Sequence, residues 1–178
     1  MWFAPSTQIR LILLEKPPEI ILFDFVNTKF GKMIIGAINP LTVDPRDQEA
    51  ICVLYFVDKN EEITYNEVIK RWPKSVLIKD KAKIQLLADK LFGGNKENSE
   101  VVPIAILGTE FQLSVWKALA DLKRGETCTY SQLAERMGRP KAVRAVASAV
   151  AKNEVAVLIP CHRIVSQNGA TKYHWGAA

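Results

Sequence analysis

The pattern of apolar and polar positions changes along the first half of the chain. Residues 20–27 and 32–39 are rich in β-branched and aromatic side chains and flank a four-residue turn, so they predict a β-hairpin. Residues 51–58 form a third apolar run, short enough to be a buried strand. Residues 64–72 and 80–92 predict two helices, the first stopped by a proline and the second by two glycines. This half therefore indicates a mixed α and β structure.

A polar segment divides the chain into two parts. Residues 93–100 (GGNKENSE) are glycine-rich and lack periodicity, which is typical of a linker. We therefore predict an N-terminal α+β structural domain with a small sheet over residues 1–97. A C-terminal domain follows over residues 98–178. Residues 101–107 predict a short strand or an extended lead-in to it.

The C-terminal domain is predicted to be mostly helical. Two helix starts carry a capping box, in which a threonine is followed three residues later by a glutamine: Thr109 with Gln112, and Thr129 with Gln132. The first helix is predicted to end near Gly125 and the second near Met137. Residues 138–140 (GRP) end the second helix, and a third helix is predicted over 141–153. Two helices around a tight glycine-containing turn indicate a helix-turn-helix, with a generic helical corner as the alternative.

Charge is unevenly distributed along the chain. The net charge is +5, yet residues 1–100 carry 14 basic and 14 acidic side chains, so the whole excess lies in residues 101–178. This asymmetry indicates a polyanionic partner, with a solvated basic face as the alternative. The helix predicted over 141–153 fits a duplex, because small side chains and a few long cations allow close approach; tight packing on a neighbouring helix is the alternative. Its core-facing residues would be Val143, Val146 and Val150, and the others Ala142, Ala145, Ala149, Lys141, Arg144 and Ser148.

Composition excludes several classes of protein. An apolar fraction of 48% with 9 Gly and 9 Pro argues against disorder. No apolar run reaches the ~20 residues of a membrane span, and the first ten residues show no secretory signal. Three cysteines, an odd number, favour free thiols in a reducing, intracellular compartment, and two histidines argue against a structural zinc site. We expect neither a metal nor a cofactor.

The residues with reactive chemistry follow a short apolar run. Residues 155–159 (VAVLI) predict a buried strand that Pro160 ends, and Cys161, His162 and Arg163 come next. A cysteine beside a histidine in a rigid turn places a thiol where its proton can be removed and its sulfur exposed. The dipeptide alone is weak evidence, and the strand and the proline before it strengthen the interpretation.

These segments resemble the O6-alkylguanine-DNA alkyltransferases, including the C-terminal domain of the bacterial Ada protein. The resemblance is highly specific over nearly all of residues 101–178 and loose over 1–100, where mainly the order of strands and helices matches. The matching segments are GTEFQ (108–112), Val115-Trp116, GETCTYSQLA (125–134), GRPKAVRAVASA (138–149), Asn153, IPCHRIV (159–165), Asn168-Gly169 and YHWG (173–176). The resemblance implies a two-domain α/β protein with a ribonuclease H-like N-terminal domain and a helix-turn-helix in the C-terminal domain.

The resemblance further implies direct reversal of DNA damage. The protein would act as a monomer on alkylated double-stranded DNA and flip out the damaged base. It would move the alkyl group of O6-methylguanine, and of O4-methylthymine, irreversibly to Cys161, so that each molecule acts once. Such a protein would be cytoplasmic in a bacterium and nuclear in a eukaryote.

The roles of individual residues are also implied by the resemblance. His162 would be the water-mediated base that ionises Cys161. Tyr130 would contact the flipped guanine and deliver a proton, and Asn153 would shape the turn before Cys161. Arg144 would fill the gap left in the duplex. The other implied DNA contacts are Ala142, Ala145, Lys141, Ser148 and Arg139, and the implied walls of the base pocket are Arg163, Tyr173, His174 and Trp175.

Two departures from the family pattern matter. The family completes a Cys–His–water–Glu chain with a Glu in a helix that would lie beyond Ala178, and a protein without that Glu would have a less activated thiol. The loop before Tyr173 is one residue shorter than usual and has Lys172 where the family usually has Gly or Asn. This substitution affects the backbone contacts expected at O6 of the guanine.

Three other functions fit parts of the sequence. A non-catalytic binder of alkylated DNA usually carries another residue at the position of Cys161. A transcriptional regulator of the Ada type needs a further cysteine-rich, metal-binding domain, whereas residues 1–100 contain Cys52 as their single cysteine. A Cys-His hydrolase would need an oxyanion site and an orienting acid, neither of which the sequence indicates.

Overall fold

The computed structural model describes residues 8–39, 49–93, 101–123 and 125–166. The strands within these ranges are β1 (Ile9–Leu14), β2 (Ile20–Thr28), β3 (Gly31–Ile38), β4 (Ala50–Phe56), β5 (Val76–Lys79), β6 (Val102–Leu107), β7 (Cys128–Thr129) and β8 (Ile164–Val165). The helices are α1 (Glu61–Arg71), α2 (Lys81–Phe92), α3 (Glu110–Ala120), α4 (Tyr130–Arg136) and α5 (Val143–Ala151), with 3₁₀ turns at Pro140–Ala142 and Cys161–Arg163.

Six of the strands form one mixed sheet in the order β1-β6-β4-β3-β2-β5. The pairs β2–β3 and β3–β4 are antiparallel, whereas β1–β6, β4–β6 and β2–β5 are parallel. Strands β3 and β4 lie at the centre and are buried along most of their length. A mixed sheet with five helices among the described residues confirms the predicted α/β class.

The predicted hairpin is confirmed by β2 and β3. Thr28 pairs with Gly31 across a two-residue turn, and Gly31 has a φ of +120°, which glycine adopts without strain. The third apolar run is confirmed as β4. Helix α1 begins three residues earlier than predicted, because the Asn60 side chain accepts a hydrogen bond from the Ile63 amide at 2.8 Å and caps the helix there.

Two strands, β1 and β5, were not predicted. They form the two edges of the sheet, and β5 is only four residues long with mostly exposed side chains, so neither shows the burial pattern of a central strand. Strand β6 follows the predicted domain boundary, yet it pairs with β1 and with β4. The sheet therefore includes a strand from each side of that boundary, and the division at residues 97/98 stays a prediction.

The two capping boxes are confirmed at Thr109 and Thr129, which begin α3 and α4. Helix α3 ends at Ala120 rather than near Gly125. The helix predicted over residues 141–153 is shorter than expected. The chain forms a 3₁₀ turn over Pro140–Ala142 and is α-helical over Val143–Ala151. Its last turn tightens as the Asn153 amide donates to the Val150 carbonyl. No helix in the described ranges is long and apolar enough to cross a bilayer.

Candidate active site

A buried tryptophan fixes α5 against α3. Trp116 Nε1 donates to the carbonyl of Ala149 at 3.0 Å, and both residues are at most 2% exposed. Ala149 was expected beside the DNA-facing residues and is instead in the core. It shares an inward face with Val146 and Val150, because residues three and four apart lie on one side of a helix.

The segment between α5 and Cys161 is a compact turn, and the strand predicted over residues 155–159 is wrong. Val155 forms a single parallel bridge with Leu54 of β4, after which the Ile159 amide donates back to the Val155 carbonyl at 3.1 Å. Val157 has a φ of +76°, which is uncommon for a β-branched residue. A run of five mostly buried apolar residues looks the same in a strand and in a buried turn, so the pattern could not separate them.

The side chain of Asn153 crosses this turn from one end to the other. Its Oδ1 accepts from the Val155 amide at 3.0 Å, and its Nδ2 donates to the Ile159 carbonyl at 3.0 Å. The same Nδ2 lies 3.3 Å from Cys161 Sγ. Asn153 is 1% exposed, so every one of these polar atoms is removed from water and satisfied by the turn. The structure thus brings Asn153 and Cys161 into direct contact.

Cys161 begins a 3₁₀ turn and is half-buried, whereas Cys52 and Cys128 are buried. Burial raises the pKa of the Cys161 thiol, and the hydrogen bonds from Asn153 and from the amides of Cys161 and His162 act in the opposite direction. Burial also raises the pKa of Cys52 and of Cys128. Of the three thiols, Cys161 combines access to solvent with donors aimed at its sulfur.

Two titratable side chains lie close to Cys161. Burial, and then the charge of Arg163, lower the pKa of His162 to about 4, so its imidazole is neutral at pH 7 and is a weaker base than an exposed histidine. Burial raises the pKa of Tyr130, and the charge of the Cys161 thiolate raises it further. The phenol of Tyr130 and the thiol of Cys161 are therefore near enough to interact electrostatically.

The small sheet of β7 and β8 explains this proximity. Cys128 pairs with Ile164 and Thr129 with Val165, in parallel. Strand β7 leads directly into Tyr130, and β8 directly follows the turn that holds Cys161, so the pairing brings these two segments of the chain together. Arg163 Nη1 donates to the carbonyl of Leu122, which ties the same turn to the chain after α3.

The residues predicted to contact DNA lie at the surface. Lys141, Arg144, Ala145 and Ser148 are exposed, and their spacing places them on one side of α5 and of the 3₁₀ turn before it. Ala142 is half-buried. Arg139 is exposed, with its guanidinium 5.4 Å from the ring centroid of Phe111. This face is opposite the stripe that packs on the core.

The predicted pocket residues Tyr173, His174 and Trp175 lie outside the described residues. Within the described ranges, no group of three or more His, Cys, Asp or Glu side chains could hold a metal ion. An ion pair beside the site was not predicted from the sequence: Arg71 Nη1 lies 2.6 Å from Glu154 Oε1. The two residues are 83 apart in sequence, and no local pattern links them.

Comparison with known proteins identifies the family. A sequence model described as "6-O-methylguanine DNA methyltransferase, DNA binding domain" matches residues 110–178. The methylated-DNA–protein-cysteine methyltransferase of Methanosarcina acetivorans is 38% identical over 123 residues, which are 69% of this chain and 75% of that protein. The inducible methyltransferase of Bacillus subtilis is 39% identical over 110 residues, covering 60% of this chain and 62% of that protein.

The fold agrees with this match. A crystal structure of Mycobacterium tuberculosis O6-methylguanine methyltransferase superimposes with a TM-score of 0.59 at 24% identity, covering 88% of this chain and 86% of that one. The bifunctional activator and repair enzyme Ada of Escherichia coli is 53% identical over 78 residues, which are 43% of this chain and 22% of Ada. The matched region thus spans less than two thirds of some relatives. The chain belongs to the methylated-DNA–protein-cysteine methyltransferase family.

Proposed function

We propose that this protein repairs DNA by direct reversal, moving the alkyl group of O6-methylguanine in duplex DNA to Cys161. The observation that carries the proposal is the Cys161 thiol itself, half-buried and 3.3 Å from Asn153 Nδ2. O4-methylthymine is a second substrate in this proposal. The reaction needs no cofactor, and because a thioether does not hydrolyse, each molecule acts once.

The proposed reaction begins with loss of the Cys161 proton. His162, which is neutral at pH 7, accepts that proton through a water molecule. The sulfur then forms a bond to the alkyl carbon while the bond from that carbon to guanine O6 breaks. The electron pair of the broken bond goes to the purine, and Tyr130 delivers a proton to it, so the product is a neutral guanine that is still part of the DNA. A proton that passes from His162 to Tyr130 then restores both side chains. In the net reaction, the alkyl group replaces the proton of the thiol and a proton replaces the alkyl group on the base.

The exposed face of α5 has the character needed to approach DNA. In the proposal, α4 and α5 form a helix-turn-helix around Gly138, whose φ is +67°. Lys141 and Arg139 contact phosphates, and the small residues Ala142, Ala145 and Ser148 allow the helix to lie close to the duplex. Arg144 is exposed on this face and enters the space that the flipped base leaves.

Further features follow from the family resemblance. Residues 1–97 are proposed to form a ribonuclease H-like domain that supports the C-terminal one. The base pocket is proposed to include Arg163 together with Tyr173, His174 and Trp175. The protein is proposed to act as a monomer and, because its substrate is cellular DNA, inside the cell.

The test is the intact mass of the protein before and after incubation with duplex DNA containing one O6-methylguanine. We expect one added methyl group per molecule, found on the peptide that contains Cys161, and we expect no transfer by Cys161→Ala although it still binds the duplex. Cys128→Ala, which removes a buried thiol, is the control and should transfer as the wild type does. Methylation at Cys52 or Cys128 would contradict the proposal.

A further inference from the structure

The turn that presents Cys161 is attached to the six-stranded sheet at Leu54 of β4. The Leu54 amide donates to the Glu154 carbonyl at 3.0 Å, and the Ala156 amide donates to the Leu54 carbonyl at 2.9 Å. Directly after this attachment comes Val157 with its φ of +76°. Such a conformation persists only where the surrounding structure holds it. The hydrogen bonds to β4 therefore restrain a segment that is strained at Val157.

The side chain of Glu154 adds a second attachment, to a helix. Arg71 is the last residue of α1, and its Nη1 lies 2.6 Å from Glu154 Oε1, with side-chain exposures of 29% and 17%. The guanidinium also lies 5.9 Å from the ring centroid of Tyr55 on β4. Ion pairs that are partly withdrawn from water are held in one geometry more firmly than pairs in open solvent.

The chemistry of this contact makes Glu154 dependent on Arg71. Burial raises the pKa of Glu154, so the charged form of its carboxyl depends on the Arg71 guanidinium 2.6 Å away. Burial lowers the pKa of Arg71, and Glu67 on α1 acts to raise it. Cys52 on β4 also senses the charge of Glu154, which acts to raise the pKa of its thiol. Without the guanidinium, the carboxylate would be a partly buried charge with no cationic partner. A movement of the turn that brings it toward water would then lower the free energy.

Glu154 is the neighbour of Asn153 in the chain, so a movement of one is a movement of the other. The Asn153 Nδ2 contact with Cys161 Sγ is 3.3 Å long, and a displacement of about 1 Å removes it and with it the donor that favours the thiolate. We propose, on the basis of the proposed alkyl transfer, that Arg71 is a positioning residue: its ion pair with Glu154 holds the turn so that Asn153 stays on the thiol of Cys161.

The experiment compares Arg71→Met and Arg71→Lys with the wild type. The matched control is Lys32→Met, which removes another ion pair of α1, between Lys32 and Glu61 at 2.6 Å, where both side chains are more than 40% exposed and distant in sequence from the turn. Two quantities are measured: the rate of methyl transfer over a range of methylated duplex concentrations, and the pH dependence of Cys161 alkylation by iodoacetamide, followed on the Cys161 peptide.

We expect Arg71→Met to lower the transfer rate at saturating DNA about tenfold, equivalent to about 1.4 kcal/mol, with less than a twofold change in the half-saturating concentration. The pH dependence of Cys161 alkylation should move to higher pH, since the Asn153 donor is lost. Arg71→Lys should recover most of the rate, and Lys32→Met should match the wild type in both measurements.

An unchanged rate and an unchanged pH dependence in Arg71→Met would overturn the positioning role, as would a slower rate with no change in pH dependence. If Arg71→Met does not fold, the double variant Arg71→Met/Glu154→Gln, which leaves no unpaired carboxylate, replaces it with the same expectations. If the wild-type protein transfers no methyl group, the proposed function is wrong. The pH dependence of Cys161 alkylation by iodoacetamide still tests the positioning role of Arg71 in that case.

Discussion

The Cys161 thiol is subject to opposing influences at the scale of single residues. Its partial burial disfavours the thiolate, and three hydrogen-bond donors favour it, one from the Asn153 side chain and two from backbone amides. Burial is the stronger influence, so the pKa stays above the ordinary value of 9.0. Below such a pKa, the fraction of thiolate rises tenfold for each unit of pH.

The first prediction concerns this balance. In the free protein, the rate of Cys161 alkylation by iodoacetamide should rise continuously from pH 7 and not level off at pH 9, where an unperturbed thiol is half ionised. Asn153→Ala should shift the whole curve to higher pH and lower the rate at pH 7 about tenfold, because a hydrogen bond to a charged group is lost. Glutathione, measured in parallel, provides the reference thiol. A curve for Cys161 that levels off below that of glutathione would contradict the prediction.

At the scale of elements, the position of α5 depends on α3. Trp116 reaches from α3 to the Ala149 carbonyl, and the residue that leaves room for its ring is Gly108, just after β6. A Cβ built on Gly108 would lie 2.7 Å from Gln112 Oε1 and 2.8 Å from the Trp116 ring. Glycine is needed here for the close approach and not for its backbone conformation.

The second prediction follows from that approach. Gly108→Ala should lower the free energy of unfolding by about 1–3 kcal/mol, because a well-packed contact cannot take a further methyl group without displacement. In a Trp116→Phe background, Gly108→Ala should lower the free energy of unfolding by a smaller amount, because the smaller ring no longer contacts the new Cβ. Urea denaturation of the four proteins of this cycle measures both costs. Equal costs in the two backgrounds would show that the ring is not what the methyl group meets.

At the scale of the whole molecule, the location of charge matters more than its amount. Residues 1–100 are neutral as a set, and the +5 belongs to residues 101–178, which include the exposed Lys141, Arg144 and Arg139. Cations that contact phosphates release counterions when DNA binds, so each contact adds to the salt dependence of binding. Cations elsewhere on the surface do not.

The third prediction separates position from net charge. Lys141→Gln and Lys74→Gln each remove one positive charge from an exposed side chain, one on the proposed DNA face and one between α1 and β5. The dissociation constant for an unmodified duplex is measured at salt concentrations from about 50 to 200 mM, a range over which phosphate contacts change the affinity strongly. Lys141→Gln should reduce the slope of the logarithmic plot by about one. Lys74→Gln should leave it as in the wild type, and equal slopes for the two variants would contradict the proposed face.

Local features of the sequence were enough to predict much of the fold. The β2–β3 hairpin and the two threonine capping boxes are set by residues close together in the chain, where turn geometry and side-chain capping act. Edge strands β1 and β5 could not be predicted in the same way, because the pairing that makes them strands comes from β6 and β2. Their own residues are too exposed to show a clear period.

The sequence by itself determined the family, the thiol that is proposed to react and the basic face of α5, because each rests on residue identities within short segments. The tertiary structure alone decided that residues 155–159 form a turn, that Ala149 faces Trp116, and that Arg71 reaches Glu154. These outcomes depend on which distant groups are available to satisfy buried polar atoms and fill buried space, and that information is not local in the chain.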